Sequence, residues 1–242
     1  MVSISMNPPN GCITDDALLD ALKKSIEGRS LSKILLLPPD VTRLHSYAGR
    51  ITAMYYRLLK DTCQVDIMPA VGTHEAMTRE ESLTFFGPDV PYESIIAHNW
   101  RKDVVKVGEV PADYVKEISE GLIDYSIDVE INKRLLDKSY DLVISIGQGV
   151  PHEVVGMANY TKNILVGCGG SRIINRSHFL GAVYGMERMM GRSDTPVRKV
   201  FDYAEERFLK DIPLMYVLTV TTVTGGQVNL NGLFIGRSRH LF

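Results

Sequence analysis

Three histidines, a lysine, an arginine and an aspartate carry the chemistry that this chain can offer. Pro151-His152-Glu153-Val154-Val155-Gly156 leads on to Lys162, ten residues beyond His152, and Ser177-His178 follows. The stretch begins just past Leu142-Val143-Ile144-Ser145-Ile146-Gly147, a continuous apolar run of the kind that forms a strand buried on both faces. In open α/β sheets, ligands bind at the carboxyl ends of such strands. There, His152 could move a proton near neutrality, the Lys162 amine could hold a carbon electrophile, and His178 could ligate a metal.

Two further groups follow strands in the same manner. Asp40-Val41-Thr42-Arg43 comes after Lys33-Ile34-Leu35-Leu36-Leu37. It reads as a loop salt bridge, or as a site in which the planar fork of Arg43 grips a carboxylate or phosphate while Asp40 orients it or a neighbouring imidazole. His74 closes Gly72-Thr73-His74 after Pro69-Ala70-Val71, and is as readily structural as catalytic. His45, beside Arg43, is a candidate to line the same cleft. His98 reads as a hydrogen-bonded structural ring and His240 as solvated.

Lys162 precedes Asn163-Ile164-Leu165-Val166, which reads as a buried strand. The bland reading of Lys162 is a solvated lysine; the sharp one is a covalent attachment point. Gly167-Cys168-Gly169-Gly170 then opens toward a helix, where its amides could approach a phosphate, although neither GxGxxG nor GK[ST] is present. The histidine spacing is not that of a zinc site: there is no HExxH and no His-x3–5-His pair.

Composition removes several classes. Lys and Arg number 27 against 29 Asp and Glu, with no long run of either sign, so no nucleic-acid footprint is present. Cys12, Cys63 and Cys168 form no CxxC pair, which excludes a disulfide framework and a thiolate zinc site. The first eleven residues lack the basic start and apolar core of a secretory signal, and no apolar run approaches the roughly 18 to 20 residues of a membrane span. A cytoplasmic location is the expectation.

Helix and strand signals alternate, which predicts an α/β fold with a mainly parallel sheet flanked by helices. Asp15 or Asp16 caps a helix with Leu18, Leu22 and Ile26 on one stripe; Pro38-Pro39 ends the strand at 33–37. A helix over 46–59 leads to a strand at 63–68, and Thr78-x-x-Glu81 is a capping box. Strands are expected at 103–107, 125–129, 141–146 and 163–166, with a short amphipathic piece between the first two. Helices follow over 177–190 and 196–209, the second opened by Thr195-Pro196. Strands at 215–223 and 228–235 meet at a Gly225-Gly226 turn. Residues 1–242 read as a single α/β cofactor-binding and catalytic domain. The ending at Leu241-Phe242, straight after a strand, suggests a shortened chain or the first domain of a longer enzyme.

Four elements in order, Asp40-Val41-Thr42-Arg43, Gly72-Thr73-His74, Pro151-His152 with Lys162, and His178, resemble the N-terminal domain of the lactate racemase family, the nickel-pincer-nucleotide enzymes. The resemblance covers nearly the whole chain. It implies a Rossmann-like N-terminal domain of a two-domain enzyme, whose C-terminal domain closes the cleft and is absent from this sequence. It further implies a pyridinium mononucleotide joined through a thioamide to Lys162, with nickel held by cofactor carbon and sulfurs and by His178. The implied reaction is racemisation or epimerisation of a 2-hydroxy acid by reversible hydride transfer. His74 and His152 would serve as bases on opposite sides, Arg43 would hold the carboxylate and Asp40 would tune the pocket. Implied partners are the 2-hydroxy acid and the proteins that make and insert the cofactor. A zinc-dependent hydrolase using His74, His152 and His178 is the alternative. Two departures stand out: Glu75 follows His74 where many members carry arginine, and Met157-Ala158-Asn159-Tyr160-Thr161 replaces a glycine-serine-glycine-glycine run, so the loop before Lys162 is expected to be stiffer or differently shaped.

Overall fold

The computed structural model of the protein describes residues 3–9 and 11–238. In chain order the elements are β1 (Ile4–Met6), α1 (Asp15–Ile26), β2 (Lys33–Leu37), a 3-10 segment Val41–Ser46, α2 (Ala48–Leu59), β3 (Gln64–Ile67) and α3 (Arg79–Phe86). A short 3-10 turn (Tyr92–Ser94) precedes β4 (Val104–Val110), α4 (Ala112–Ile118) and β5 (Ile127–Asn132); a 3-10 turn at Lys133–Leu136 leads to β6 (Leu142–Gln148). The small strands β7 (Pro151–His152) and β8 (Gly156–Met157) come next, then a π-type turn at Asn163–Gly167. The chain ends in α5 (Ser171–Tyr184), α6 (Met186–Met189), α7 (Pro196–Phe208), β9 (Leu214–Thr224) and β10 (Gln227–Gly236).

The main sheet has the order β1-β10-β9-β6-β2-β3 among the described residues. β3, β2, β6 and β9 run parallel, while β10 and β1 add antiparallel strands at one side. The mainly parallel sheet flanked by helices is thus as the alternation of signals predicts. Side chains alternate across β2: Leu35 and Leu37 enter one core, Ile34 and Leu36 the other. Both faces are covered, which is why β2 and β6 read as unbroken apolar runs. β4 and β5 form a separate antiparallel pair, packed on α5 and α7.

Several elements differ from expectation. Thr14, not Asp15 or Asp16, caps α1: its hydroxyl accepts from the Ala17 N–H at 3.3 Å. The capping box at Thr78 and Glu81 forms. β1 has no signal of its own, being three residues long and held at the edge by β10. α5 begins at Ser171, six residues earlier than predicted, because Gly170 makes the turn into it.

The run at 163–166 is not a strand. The chain is already helical at Thr161 and Lys162, and the Cys168 N–H bonds the Asn163 carbonyl at 3.0 Å to close a wide π-type turn. A short apolar run cannot be assigned by periodicity alone. In this sheet β6 is already paired on both sides, by β2 and β9, which leaves no place for another strand beside it.

Candidate active site

The carboxyl ends of β2, β3 and β6 open on a cavity of about 280 Å³. Its lining includes Asp40, Arg43, His74, His152, Lys162 and His178, so all six residues singled out in the sequence meet in one place. A second cavity of about 360 Å³ lies beyond the Met157–Tyr160 loop, walled by Leu218, Val220 and Phe234; none of those six residues lines it. The six candidate residues line the smaller cavity.

Asp40 follows β2 and is buried, 5% exposed. It pairs not with Arg43 but with His74, whose Nδ1 stands 2.6 Å from Asp40 Oδ2. Its other oxygen accepts from the Thr42 N–H at 3.0 Å and from the Thr42 hydroxyl. A carboxylate holding Nδ1–H leaves His74 Nε2 as a bare acceptor. Arg43 is exposed, and no described residue bonds its guanidinium. The His74 turn is anchored from behind: Gly72, at φ +61°, donates its N–H to the Gly167 carbonyl at 2.8 Å.

His178 lies on α5, where its Nδ1 donates to the Ile174 carbonyl at 2.7 Å. That bond fixes the tautomer and frees Nε2 as a ligand, the usual second partner of a metal-binding imidazole. Burial, then the Lys162 charge, lowers the His178 pKa. His152 sits in the β7–β8 hairpin with the opposite arrangement. Its Nδ1 accepts the backbone N–H groups of Val154 at 3.1 Å and Val155 at 3.4 Å. Burial first, then the charges of Lys162 and Arg43, push its pKa down to about 4, so the ring is neutral at physiological pH.

Lys162 is half-buried at the entrance to the π-type turn. Burial lowers its pKa to about 8, with Arg43 and Arg198 adding to the effect. A neutral amine is a nucleophile, and desolvation is one of the ways a lysine becomes one. The turn that carries it is pinned by Asn163, whose side-chain NH2 reaches the Leu37 carbonyl at 2.9 Å and the Ser145 hydroxyl at 3.0 Å. Asn163→Leu keeps the branching and the number of side-chain heavy atoms but leaves the buried Leu37 carbonyl without that donor. It is expected to lower stability by roughly 2 kcal/mol, seen as a lower midpoint in urea.

The loop before Lys162 solves its departure from glycine in a costly way. Asn159 and Tyr160 both adopt left-handed backbone, at φ 66° and 56°. That region suits glycine, is tolerated by asparagine and is an outlier for a bulky residue. Neighbours hold it there. Asn159 Nδ2 donates to the Gln148 carbonyl at 3.0 Å, and the Tyr160 ring packs on Tyr216 at 4.2 Å. Arg198, 4% exposed, donates to the carbonyls of Met157 (2.6 Å) and Asn159 (3.3 Å) and to the Thr161 hydroxyl (2.7 Å).

Other sequence expectations fall away from the site. The Gly167–Gly170 run offers no open phosphate cradle: Gly170 N–H bonds the Glu130 carbonyl at 3.2 Å, and the Glu130 carboxylate accepts from Arg172 N–H at 3.0 Å, seating a negative charge at the start of α5. Cys168 is buried, with its thiol pushed up to about 12, and is inert. His98 is a buried structural ring, as predicted, bonded to the Gly169 carbonyl and Asn132. His45 and Glu75 are exposed and do not line the cavity. His240 lies outside the described residues.

Among the described residues no three His, Cys, Asp or Glu side chains stand together as metal ligands. The triad of His74, His152 and His178 on zinc therefore finds no support. Among the described residues, too, no helix is long and apolar enough to cross a membrane.

The model of the lactate racemase N-terminal domain matches residues 15–191, more than half of the sequence. This chain belongs to that family. A crystal structure of a protein from Thermotoga maritima superposes with a TM-score of 0.85 at 23% identity, covering 95% of this chain and 56% of that one. The lactate racemase apoprotein from Thermoanaerobacterium thermosaccharolyticum superposes with a TM-score of 0.68 at 22% identity, covering 96% of this chain and 54% of that one. At these identities the likeness shows the lactate racemase fold, and the chain spans about half the length of the structures it matches. No curated protein matches it.

Proposed function

We propose that this domain serves a racemase or epimerase of 2-hydroxy acids and carries a nickel-pincer nucleotide on Lys162. The observation that carries the reading is the meeting of Lys162, His178, His74 and Arg43 in one cavity, with the lysine amine held well below its ordinary pKa. His178 is a single protein ligand with its Nε2 free, which suits a metal whose remaining donors come from a bound group rich in sulfur. When bound, that group supplies a hydride acceptor for the α-carbon.

The chain's own residues supply the rest. Arg43, with no competing partner among the described residues, binds the carboxylate of the substrate bidentately. His74, with Nδ1 held by Asp40, accepts the hydroxyl proton at Nε2. The half of the longer relatives that this chain does not match closes the cleft over the substrate. Proteins that make and insert the cofactor are the partners, in a cytoplasmic setting. The side chain of the 2-hydroxy acid can be larger than that of lactate.

The test uses protein purified from its own cells. Intact mass is expected to show an adduct that peptide mapping places on Lys162, and metal analysis to show nickel. Chiral chromatography of incubated 2-hydroxy acids should show inversion at the α-carbon. His178→Ala is expected to keep the adduct and lose nickel at least tenfold. Zinc without any organic adduct would overturn the reading.

A further inference from the structure

Lys162 brings a single amine to the cavity: no other described lysine lines it. Ala70, Val71, Val166 and Ile174 wall the same space with hydrocarbon, which keeps water from the amine and favours its neutral form. The root of the side chain is fixed on both sides. Thr161 accepts from the buried Arg198 guanidinium at 2.7 Å, and Asn163 reaches the Leu37 carbonyl at 2.9 Å. Arg43 lines the cavity too, close enough for its charge to weigh against protonation of Lys162. A desolvated amine beside a second cation is a setting in which lysines attack carbonyls. His74 completes the set with a bare Nε2 that can carry a proton between atoms of a ligand.

We propose that Lys162, when it bears no other adduct, captures 2-oxo acids reversibly as an imine. This activity goes beyond the racemase reading and does not rest on it. The Lys162 nitrogen attacks the C2 carbonyl: an N–C bond forms, the carbonyl π pair moves to oxygen, and one amine proton passes to that oxygen through His74 Nε2. The C–O bond of the carbinolamine then breaks while the nitrogen lone pair completes the C=N bond. The second amine proton leaves with the oxygen as water. No oxidant or reductant is consumed, and hydrolysis is the same path reversed. Arg43 selects the ligand class, because its planar fork grips the carboxylate that a simple ketone lacks. That carboxylate lies next to the carbonyl in a 2-oxo acid, so one small molecule meets Arg43 and Lys162 within a cavity of about 280 Å³. On the reading given above the cofactor takes the same amine, so a bound 2-oxo acid and cofactor attachment exclude one another.

The test uses the chain made in a host without the cofactor-making proteins, its intact mass equal to that of the sequence. It is incubated with pyruvate near neutral pH and reduced with sodium borohydride. Reduction fixes the imine as a secondary amine and adds the mass of the acid less one oxygen. Peptide mapping is expected to place that mass on Lys162, at a yield at least about tenfold above that of an exposed lysine such as Lys60. Methyl pyruvate keeps the activated carbonyl and carries no charge. The preference for pyruvate over this ester should be about tenfold greater at Lys162 than at Lys60, and Arg43→Gln should remove that excess. Label spread over exposed lysines, or missing from Lys162, overturns the imine. Equal preference at Lys162 and Lys60 overturns the assignment of 2-oxo acids as its ligands. No cofactor enters the experiment, so a positive trap stands even if enzyme from its own cells carries no adduct, and a failed trap leaves the racemase reading untouched.

Discussion

Lys162→Ala is expected to abolish the organic adduct and to bring turnover of any 2-hydroxy acid down to background, the largest effect of any single substitution in this domain. Lys162→Arg should do the same, since a guanidinium that stays protonated is no nucleophile. The physical ground is the state of the amine. An ordinary lysine, with a pKa near 10.4, is neutral in fewer than about one molecule in a thousand at pH 7. Held at about 8, Lys162 is neutral in roughly one in ten, a gain of about 200-fold in reactive amine. Burial is the main cause, and the positive charges of Arg43 and Arg198 add to it. The sign is testable on the apo chain. Acylation of Lys162 by acetic anhydride, followed by peptide mass, should rise with a midpoint near pH 8. Arg43→Gln removes a positive neighbour, eases protonation and moves the midpoint upward. A wild-type midpoint near 10 would contradict this account of the site.

Much of this arrangement was legible in the residues. β2 and β6 announce themselves because a strand covered on both faces must be apolar throughout, and the groups that follow such strands stand at the ligand-binding edge. What could not be read are the features decided by contacts between distant segments. The pairing of His74 with Asp40 joins residues 34 apart, and nothing local to either announces it. Arg198 reads as an ordinary charge on an amphipathic helix, yet its guanidinium is buried and clamps the loop that presents Lys162. The π-type turn reads as a strand because a short run such as Ile164-Leu165-Val166 fits both. The glycine-rich run carries a phosphate-like pattern, but β5 brings Glu130 against it from a distant part of the sequence. Asn159 and Tyr160 take the left-handed conformation that glycine takes freely, and Arg198, Gln148 and Tyr216, from other segments of the chain, hold them there.

Asp40→Asn is expected to lower kcat by about 1,000-fold with a much smaller change in KM, although the volume is unchanged and the fold should persist. Asp40 does two things for His74. Its carboxylate accepts only, so it admits one tautomer, with the proton on Nδ1 and the lone pair on Nε2. An asparagine can turn its NH2 toward the ring, stabilising the reverse tautomer and placing a proton where the substrate hydroxyl must deliver its own. The Thr42 N–H and hydroxyl, which both bond the other carboxylate oxygen, favour that orientation by keeping the asparagine carbonyl on their side. The second contribution is charge: Asp40 is buried beside a ring that becomes cationic when it takes the proton, and a neutral amide does not offset that charge. In the Ser-His-Asp triad, replacing the orienting aspartate with asparagine lowers kcat by about 10⁴ through the wrong tautomer. Two measurements separate this from simple misfolding. The Lys162 adduct and nickel should be retained in the variant, since neither depends on His74. Ring NMR should show the His74 proton moved from Nδ1 to Nε2. If the tautomer is unchanged and kcat falls less than tenfold, His74 is not the group that takes the proton.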